Sequence, residues 1–373
     1  MDLLNGEHLK KIVEYIDKFI FQKINPKRRL TMLLLTRSDI QKSISIKEAI
    51  QVVKYVFAAY SSGKVTIPVR TQIKIPQEDG IILYMPGYIE DSGALGLKIV
   101  SVFPKNREKN LPTTNAFILL IHPETGLPLA GLEGNYLTAL RTGAASGVAT
   151  DYLARKNSST VAIIGAGFQA RTQLEAVCSV RDIKSVNIYD INEQQSVNYL
   201  KLMKNKLSNL SLKWTISPSS EKAIENADII CVTTTSNTPV FPGEKIRLGT
   251  HINAVGSFTP QTQEIDIQTL LKADKIYVDS IEATLKEAGD FIIPIQKGQF
   301  DKANITGEIG EIISHQKIGR ENKEEITIFK TVGLSIQDMA TGFFIYQKAK
   351  KLGLGEEFSF FKEILVGENF ERS

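Results

Sequence analysis

The stretch from Thr160 to Asp190 limits what this chain can become more than any other. Val161-Ala-Ile-Ile164 is a short apolar run that empties directly into Gly165-Ala-Gly167-Phe-Gln-Ala170. A helical pattern follows, with Leu174, Val177 and Cys178 on one face, and a second β-rich run, Val186 to Tyr189, ends in Asp190. Strand, glycine turn, helix, strand and acid, in that order, are what a dinucleotide site needs. Gly165 permits the tight turn, Gly167 lets the backbone close on a pyrophosphate, and Ala170 is small enough for the helix to pack on the strand. The helix N-terminus adds free N–H groups and the positive end of its dipole. Asp190, about twenty residues past Ala170, can accept both adenosine ribose hydroxyls and would repel a 2′-phosphate, which favours NAD over NADP. A glycine pair alone is common in turns; its flanking elements carry the inference.

From Thr160 onward strands alternate with helices. Further β-patterns fall at Leu212 to Ile216, Ile229 to Thr233, His251 to Val255, Lys275 to Val278 and Ile326 to Val332. This predicts an α/β fold: a Rossmann-type, doubly wound parallel sheet covered on both faces. Thr233-Thr-Thr-Ser-Asn237 follows a strand's C-terminal end, where such sheets bind ligand. The earlier part reads as a mixed α+β domain. It has a strand at Met32 to Leu35, then a helix through Ala49, Val53, Val56 and Phe57. Four β-patterns follow between Val65 and Ile121 and a hairpin through His122-Pro-Glu-Thr-Gly126. A long helix rich in Ala and Gly runs from Asn135 to Arg155, and an amphipathic helix from Ser335 to Lys350; the tail from Glu356 carries no marked pattern. The expected division is a helical extension over 1–30, a substrate-binding and dimerisation domain over 31–140 and 337–373, and an NAD-binding domain over 141–336. In the extension, Leu9, Ile12, Val13, Ile16, Phe19 and Ile20 repeat at helical spacing.

Several classes of function are set aside by what is missing. A net charge of +4 over 373 residues, with no basic block interleaved with aromatics, gives no footprint for nucleic acid. No run approaches eighteen apolar residues, so no membrane-spanning helix is expected, and the Met1 end lacks an apolar signal core. Cys178 and Cys231 read as buried thiols in a reducing cytoplasm. The four histidines are scattered without ligand spacing, so no metal site is expected, and His251, opening a strand, reads as structural.

Chemistry outside the fingerprint lies in three cations in unusual company. Arg70 follows Ile67-Pro-Val, Lys98 lies between Gly96-Leu and Ile-Val, and Arg141 sits in an Ala-rich helix. Each alone could be a surface or snorkelling cation. Together they point to a bound carboxylate, since a cation in apolar surroundings is costly unless an anion meets it. Arg suits a planar carboxylate, and Lys98 is the one able to exchange a proton.

These motifs together resemble the ornithine cyclodeaminase/mu-crystallin family from about Met32 to Gly355. The resemblance rests on Ile67-Pro-Val-Arg70, Met85-Pro86, Gly96-Leu-Lys98, Leu111-Pro-Thr113 and Ala139-Leu-Arg141-Thr-Gly-Ala-Ala-Ser. It continues through Gly165-Ala-Gly-Phe-Gln169, His251-Ile-Asn-Ala-Val-Gly256, Gly307-Glu-Ile-Gly310 and Phe329-Lys-Thr-Val-Gly333 to Asp338. It implies a homodimer formed through the β-sheet of the first domain, with Arg70, Lys98 and Arg141 lining the substrate site. It further implies that Thr113, Arg141, Phe168, Gln169 and Asp190 contact the dinucleotide, that Thr234, Ala254, Val255 and Thr331 lie near its nicotinamide half, and that Val332 lies near the substrate.

One departure bears on chemistry. Cyclodeaminases of this family carry an Asp two residues past the Gly of Asn-Ala-Val-Gly, where this chain has Phe258; the acid before Met-Pro is also absent, with Leu83 and Tyr84 in its place. A phenyl ring neither accepts a proton nor orients an ammonium group. The sequence therefore reads as an NAD-dependent oxidoreductase acting at the carbon–nitrogen bond of an amino or cyclic imino acid. Arg70 and Arg141 would clamp the carboxylate, Lys98 would relay a proton and Phe258 would wall the side-chain end. The alternatives are a cyclodeaminase-type ammonia lyase that uses NAD catalytically, and a non-catalytic NAD(P)H-binding protein like mu-crystallin.

Overall fold

The computed structural model describes residues 31–359 and divides them into two units. The extension helix expected before Pro26 lies outside the described residues. The first unit comprises residues 31–45, 64–138 and 335–359, and the second 46–63 and 139–334. No helix among the described residues is long and apolar enough to cross a membrane.

The first unit is a mixed sheet. Its strands run Glu356–Ser359, Thr31–Leu35, Pro128–Glu133, Thr114–Ile121, Ala94–Val102, Gly80–Ile89 and Val65–Thr66, with Thr71–Ile75 also on Gly80–Ile89. Thr31–Leu35 and Pro128–Glu133 are parallel, and every other pair is antiparallel. The Ser335–Leu352 helix packs on the two longest strands, Gly80–Ile89 and Ala94–Val102.

The first predicted β-pattern, Val65 to Ile75, is split by an irregular segment at Ile67–Arg70, and this explains a proline in mid-strand. Val65–Thr66 pairs with Tyr88 and Ile89, and Thr71–Ile75 with residues 80 to 84, so residues 85–87 face the break. Pro86 therefore withholds an N–H where no strand on that side asks for one. Its carbonyl accepts from Ser335 Oγ at 2.6 Å. Arg70 sits at the end of this break, half-buried.

Several elements had no counterpart in the sequence reading, among them a helix and a strand of this unit. A short helix, Arg37–Ser43, opens on a capping box between Thr36 and Asp39, and the tail forms an edge strand on Thr31–Leu35.

The second unit holds eight parallel strands in the order Lys213–Ile216, Ser185–Tyr189, Thr160–Ile164, Ile229–Val232, His251–Ala254, Thr327–Lys330, Lys275–Val278, Gly307–Glu308. Ile164, Val232, Ala254, Lys330 and Val278 are in register, and Tyr189 is level with Ile164. The central strands are buried along nearly their whole length, as strands covered on both faces must be, and largely apolar, with His251 and Asn253 the buried polar exceptions. The helix Ile46–Ser61 belongs to this unit, with Phe57 edge-on to Phe329 at 6.2 Å. Cys231 is buried as expected, but Cys178 is only half-buried. Burial holds both thiols protonated, each pushed up to about 12.

Candidate functional site

Because the strands are parallel and in register, the residues that follow them share one edge. Gly165, Asp190, Thr233, Val255, Thr331 and Asp279 each succeed a strand there, and five of their six backbone amides donate to the neighbouring strand's last carbonyl. Ser185–Tyr189 lies on one side of Thr160–Ile164 and Ile229–Val232 on the other, so the strand order reverses direction at the glycine loop. Ligands of doubly wound sheets bind at such a point.

The loop fits a dinucleotide. Gly165 has φ +88, and a side chain there would meet the Thr234 methyl at 2.7 Å, so no residue but glycine suits the turn. The space a Cβ would take at Gly167 is open, leaving room for a diphosphate against the backbone. Gly167 caps the Phe168–Val180 helix without a side-chain hydrogen bond, so the cap residue itself places nothing between the helix N-terminus and an anion. Asp190 accepts from Ala166 N at 2.8 Å through Oδ2 and from Asn192 N at 2.9 Å through Oδ1. These two bonds fix its carboxylate and leave it lone pairs for two ribose hydroxyls. Phe168 is exposed, with the Arg171 guanidinium 5.5 Å from its ring centre.

The remaining residues expected on this side are placed as follows. Gln169 Nε2 donates to Ala139 O at 3.2 Å, which ties the loop's helix to the Gly134–Leu153 helix. Ala254 is buried in the sheet core, and Val255 is nearly so. Thr331 is buried with Oγ1 donating to Asp279 Oδ2 at 2.6 Å, so at 254 and 331 it is the backbone that reaches the edge. The same Asp279 oxygen accepts from Val332 N at 2.9 Å and Gly333 N at 2.8 Å. Arg141 is buried, and its Nη1 stands 2.5 Å from where a side chain on Gly333 would begin. Phe258, at 43% exposure, is the most open of the expected apolar residues.

His251 is fully buried between Thr327 Oγ1 at 3.0 Å and Asn253 Oδ1 at 3.2 Å. Burial drives its pKa down to about 3, so it stays neutral and structural.

In the first unit, Lys98 lies on Ala94–Val102 opposite Met85 and Ile118 and is 3% exposed. Its Nζ is 2.5 Å from Asp338 Oδ2, and Asp338, in the first turn of Ser335–Leu352, is wholly buried. A charge pair this close offsets much of the cost of an ammonium out of water. Thr138 Oγ1 approaches Asp338 Oδ1 at 3.5 Å. Thr113 is half-buried just before Thr114–Ile121, its carbonyl accepting from Phe103 N.

Three acids of evident importance went unassigned from sequence: Asp338, Asp279 and Glu264. Asp338 stood in a quoted motif without a role, and Asp279 ends a strand as Asp190 does, which was a usable signal.

A parallel sheet with an open glycine loop at its reversal point and an acid after the next strand defines a dinucleotide-binding α/β protein, here with a mixed-sheet unit bearing a buried lysine. The chain belongs to the ornithine cyclodeaminase/mu-crystallin family, whose model matches residues 30–353. A Δ(1)-pyrroline-2-carboxylate reductase of Bacillus cereus is 41% identical over 88% of this chain and 100% of its own. The structure of the Thermococcus litoralis Δ(1)-pyrroline-2-carboxylate reductase with NADH and L-proline is 49% identical, with a TM-score of 0.84 over 87% of this chain and 99% of that one. An archaeal alanine dehydrogenase dimer with bound NAD is 38% identical, with a TM-score of 0.82 over 89% and 100%. The chain thus stands with the imine reductase and amino-acid dehydrogenase members rather than with the cyclodeaminases.

Proposed function

We propose that this protein is an NAD-dependent oxidoreductase acting at the carbon–nitrogen bond of a small amino or cyclic imino acid. Δ(1)-Pyrroline-2-carboxylate, reduced to proline, is the first candidate substrate, and the alanine couple the second. The observation that carries this reading is the turn after His251–Ala254. Phe258 occupies the place of the ring-closing acid, and the nearby acid Glu264 has both oxygens engaged by the amides of Thr234 and Ser257. No carboxylate of that loop is left to serve a substrate amine.

On this reading the Gly165 loop and the Phe168 helix N-terminus hold the pyrophosphate, and Asp190 takes the ribose and selects NAD. Thr113, Phe168, Gln169, Thr234, Ala254, Val255 and Thr331 line the rest of the dinucleotide. When bound, the nicotinamide supplies or accepts the hydride. Arg70 and Arg141 hold the substrate carboxylate, and Phe258 and Val332 wall its apolar end. Lys98 keeps its proton at Nζ against Asp338 and delivers it to the substrate nitrogen as the carbon is reduced; the reverse reaction returns it. The unit carrying Lys98 also forms the homodimer; the dimeric state, though not the surface that makes it, is supported by the alanine dehydrogenase relative. Two free thiols without a bridge suit a reducing cytoplasm.

The test is NADH oxidation with Δ(1)-pyrroline-2-carboxylate, and with pyruvate plus ammonia. Consumption of NADH with either supports the assignment. Conversion of ornithine to proline and ammonia on catalytic NAD, without net NADH, overturns it.

A further inference from the structure

Phe258 and Thr234 lie on separate loops, and both must be held relative to the dinucleotide loop. A single carboxylate joins the first two, and the Thr233–Thr234 segment joins them to the third. Glu264 Oε1 accepts from Thr234 N at 2.5 Å and Thr234 Oγ1 at 2.9 Å, while Oε2 accepts from Ser257 N at 2.7 Å. The Thr234 methyl packs against Gly165, and Thr233 Oγ1 donates to Gly165 O at 2.7 Å. Ser257 precedes Phe258 and closes the turn by donating from Oγ to Thr262 O at 2.6 Å.

This carboxylate is held at a cost. Glu264 is fully buried, and behind it Asp290 accepts from Glu264 N at 2.7 Å, Ile265 N at 3.1 Å and Lys330 Nζ at 2.8 Å. One ammonium therefore faces two buried carboxylates. Burial outweighs the Lys330 charge and pushes the Glu264 carboxyl up to about 7, with Asp290 adding to the rise. A position with only a packing role would be better served by an apolar side chain.

We propose that Glu264 is a positioning residue: ionised, it locks Thr234 against the dinucleotide loop and sets the turn that carries Phe258. The Phe258 half rests on the oxidoreductase reading; the dinucleotide half does not. Two backbone amides, one on each oxygen, converge on Glu264 and cannot become acceptors, so a proton on either oxygen weakens an acceptor that an amide uses and loosens the lock. Lys330 opposes that proton and Asp290 favours it. The stability sign is opposite. With its folded pKa raised above 4.5, Glu264 stabilises the fold below pH 4.5, and that contribution is lost as pH rises through about 7. The locked, ionised state is the less stable one.

The experiment uses the full chain and measures NADH affinity by fluorescence titration from pH 6 to 8, beside the melting temperature. In the wild type, NADH binding should weaken severalfold toward pH 6. Glu264→Gln keeps the shape but turns an amide NH2 toward a backbone N–H. It should bind NADH about tenfold more weakly at pH 8, the size expected for a lost charged hydrogen bond, with no further change toward pH 6. Wild-type affinity and pH dependence in that variant would overturn the proposal. Should it fail to fold, Glu264→Asp keeps the charge and shortens its reach. A loss of NADH affinity of about threefold at pH 8, the lower range for one hydrogen bond, supports the lock, and wild-type affinity refutes it. A wild type that reduces no imine while Glu264→Gln still loses NADH affinity would sink the oxidoreductase reading and leave the lock standing.

Discussion

Each unit of this protein buries a lysine against an aspartate, and the roles proposed for the two pairs differ. Lys98 and Asp338 lie 2.5 Å apart in the first unit, and Lys330 and Asp290 lie 2.8 Å apart in the second. Both lysines adjoin apolar strand residues, Lys98 within its strand and Lys330 at the end of its own, so the criterion that singled out Lys98 in the sequence applies equally to Lys330. What separates them is where the carboxylate is anchored. Asp290 also accepts two backbone amides and stands beside Glu264, which makes Lys330 the counter-charge of a locked core. Asp338 sits on a helix packed across the Lys98 strand, in the unit that also presents Arg70. A buried ion pair therefore marks a residue that cannot be lost cheaply, and only its surroundings say whether chemistry or architecture is at stake.

The comparison breaks most sharply at Lys98. Lys98→Met should lower kcat/KM for the imine about a thousandfold, the loss of a positioned proton donor, with NADH affinity changed by about twofold at most. Steady-state kinetics beside NADH titration checks this, and a loss below about tenfold would place Lys98 with Lys330 as architecture. Lys330→Met should show the opposite signature. It strands Asp290 and Glu264 without a cation, and urea unfolding should report a loss of about 3–5 kcal/mol. A cost under about 1 kcal/mol, the worth of an exposed ion pair, would mean that Lys330 is not the counter-charge of that core.

What the sequence made legible follows from range. The dinucleotide edge is built from about thirty consecutive residues whose glycines, apolar run and terminal acid each have a local physical reason. Lys98 could be singled out by its neighbours, but its partner Asp338 lies on a helix at the far end of the chain. The amphipathic pattern of Ile46–Ser61 says that one face is covered, not that the cover is the second unit. The Arg37–Ser43 helix had a readable signal, the Thr36–Asp39 capping box, yet at seven residues it has too little apolar period to stand out. The Glu356–Ser359 strand exists through pairing with Thr31–Leu35, and no local pattern announces a register set across the whole chain.

The smallest expected effect joins the structural lysine to a site cation. Three residues past Lys330, Gly333 adopts φ +84, and Asp279 holds it there through a 2.8 Å bond to its amide. The Arg141 guanidinium rests in the space a side chain would occupy, 2.5 Å from the Cβ position. Gly333→Ala therefore meets two obstacles, a left-handed backbone and a displaced guanidinium. Arg141 is proposed to hold substrate and not the hydride-bearing ring, so the KM for imine should rise about tenfold, equivalent to about 1.4 kcal/mol, while the KM for NADH stays near wild type. Equal rises in both would instead mean that Arg141 serves chiefly the cofactor.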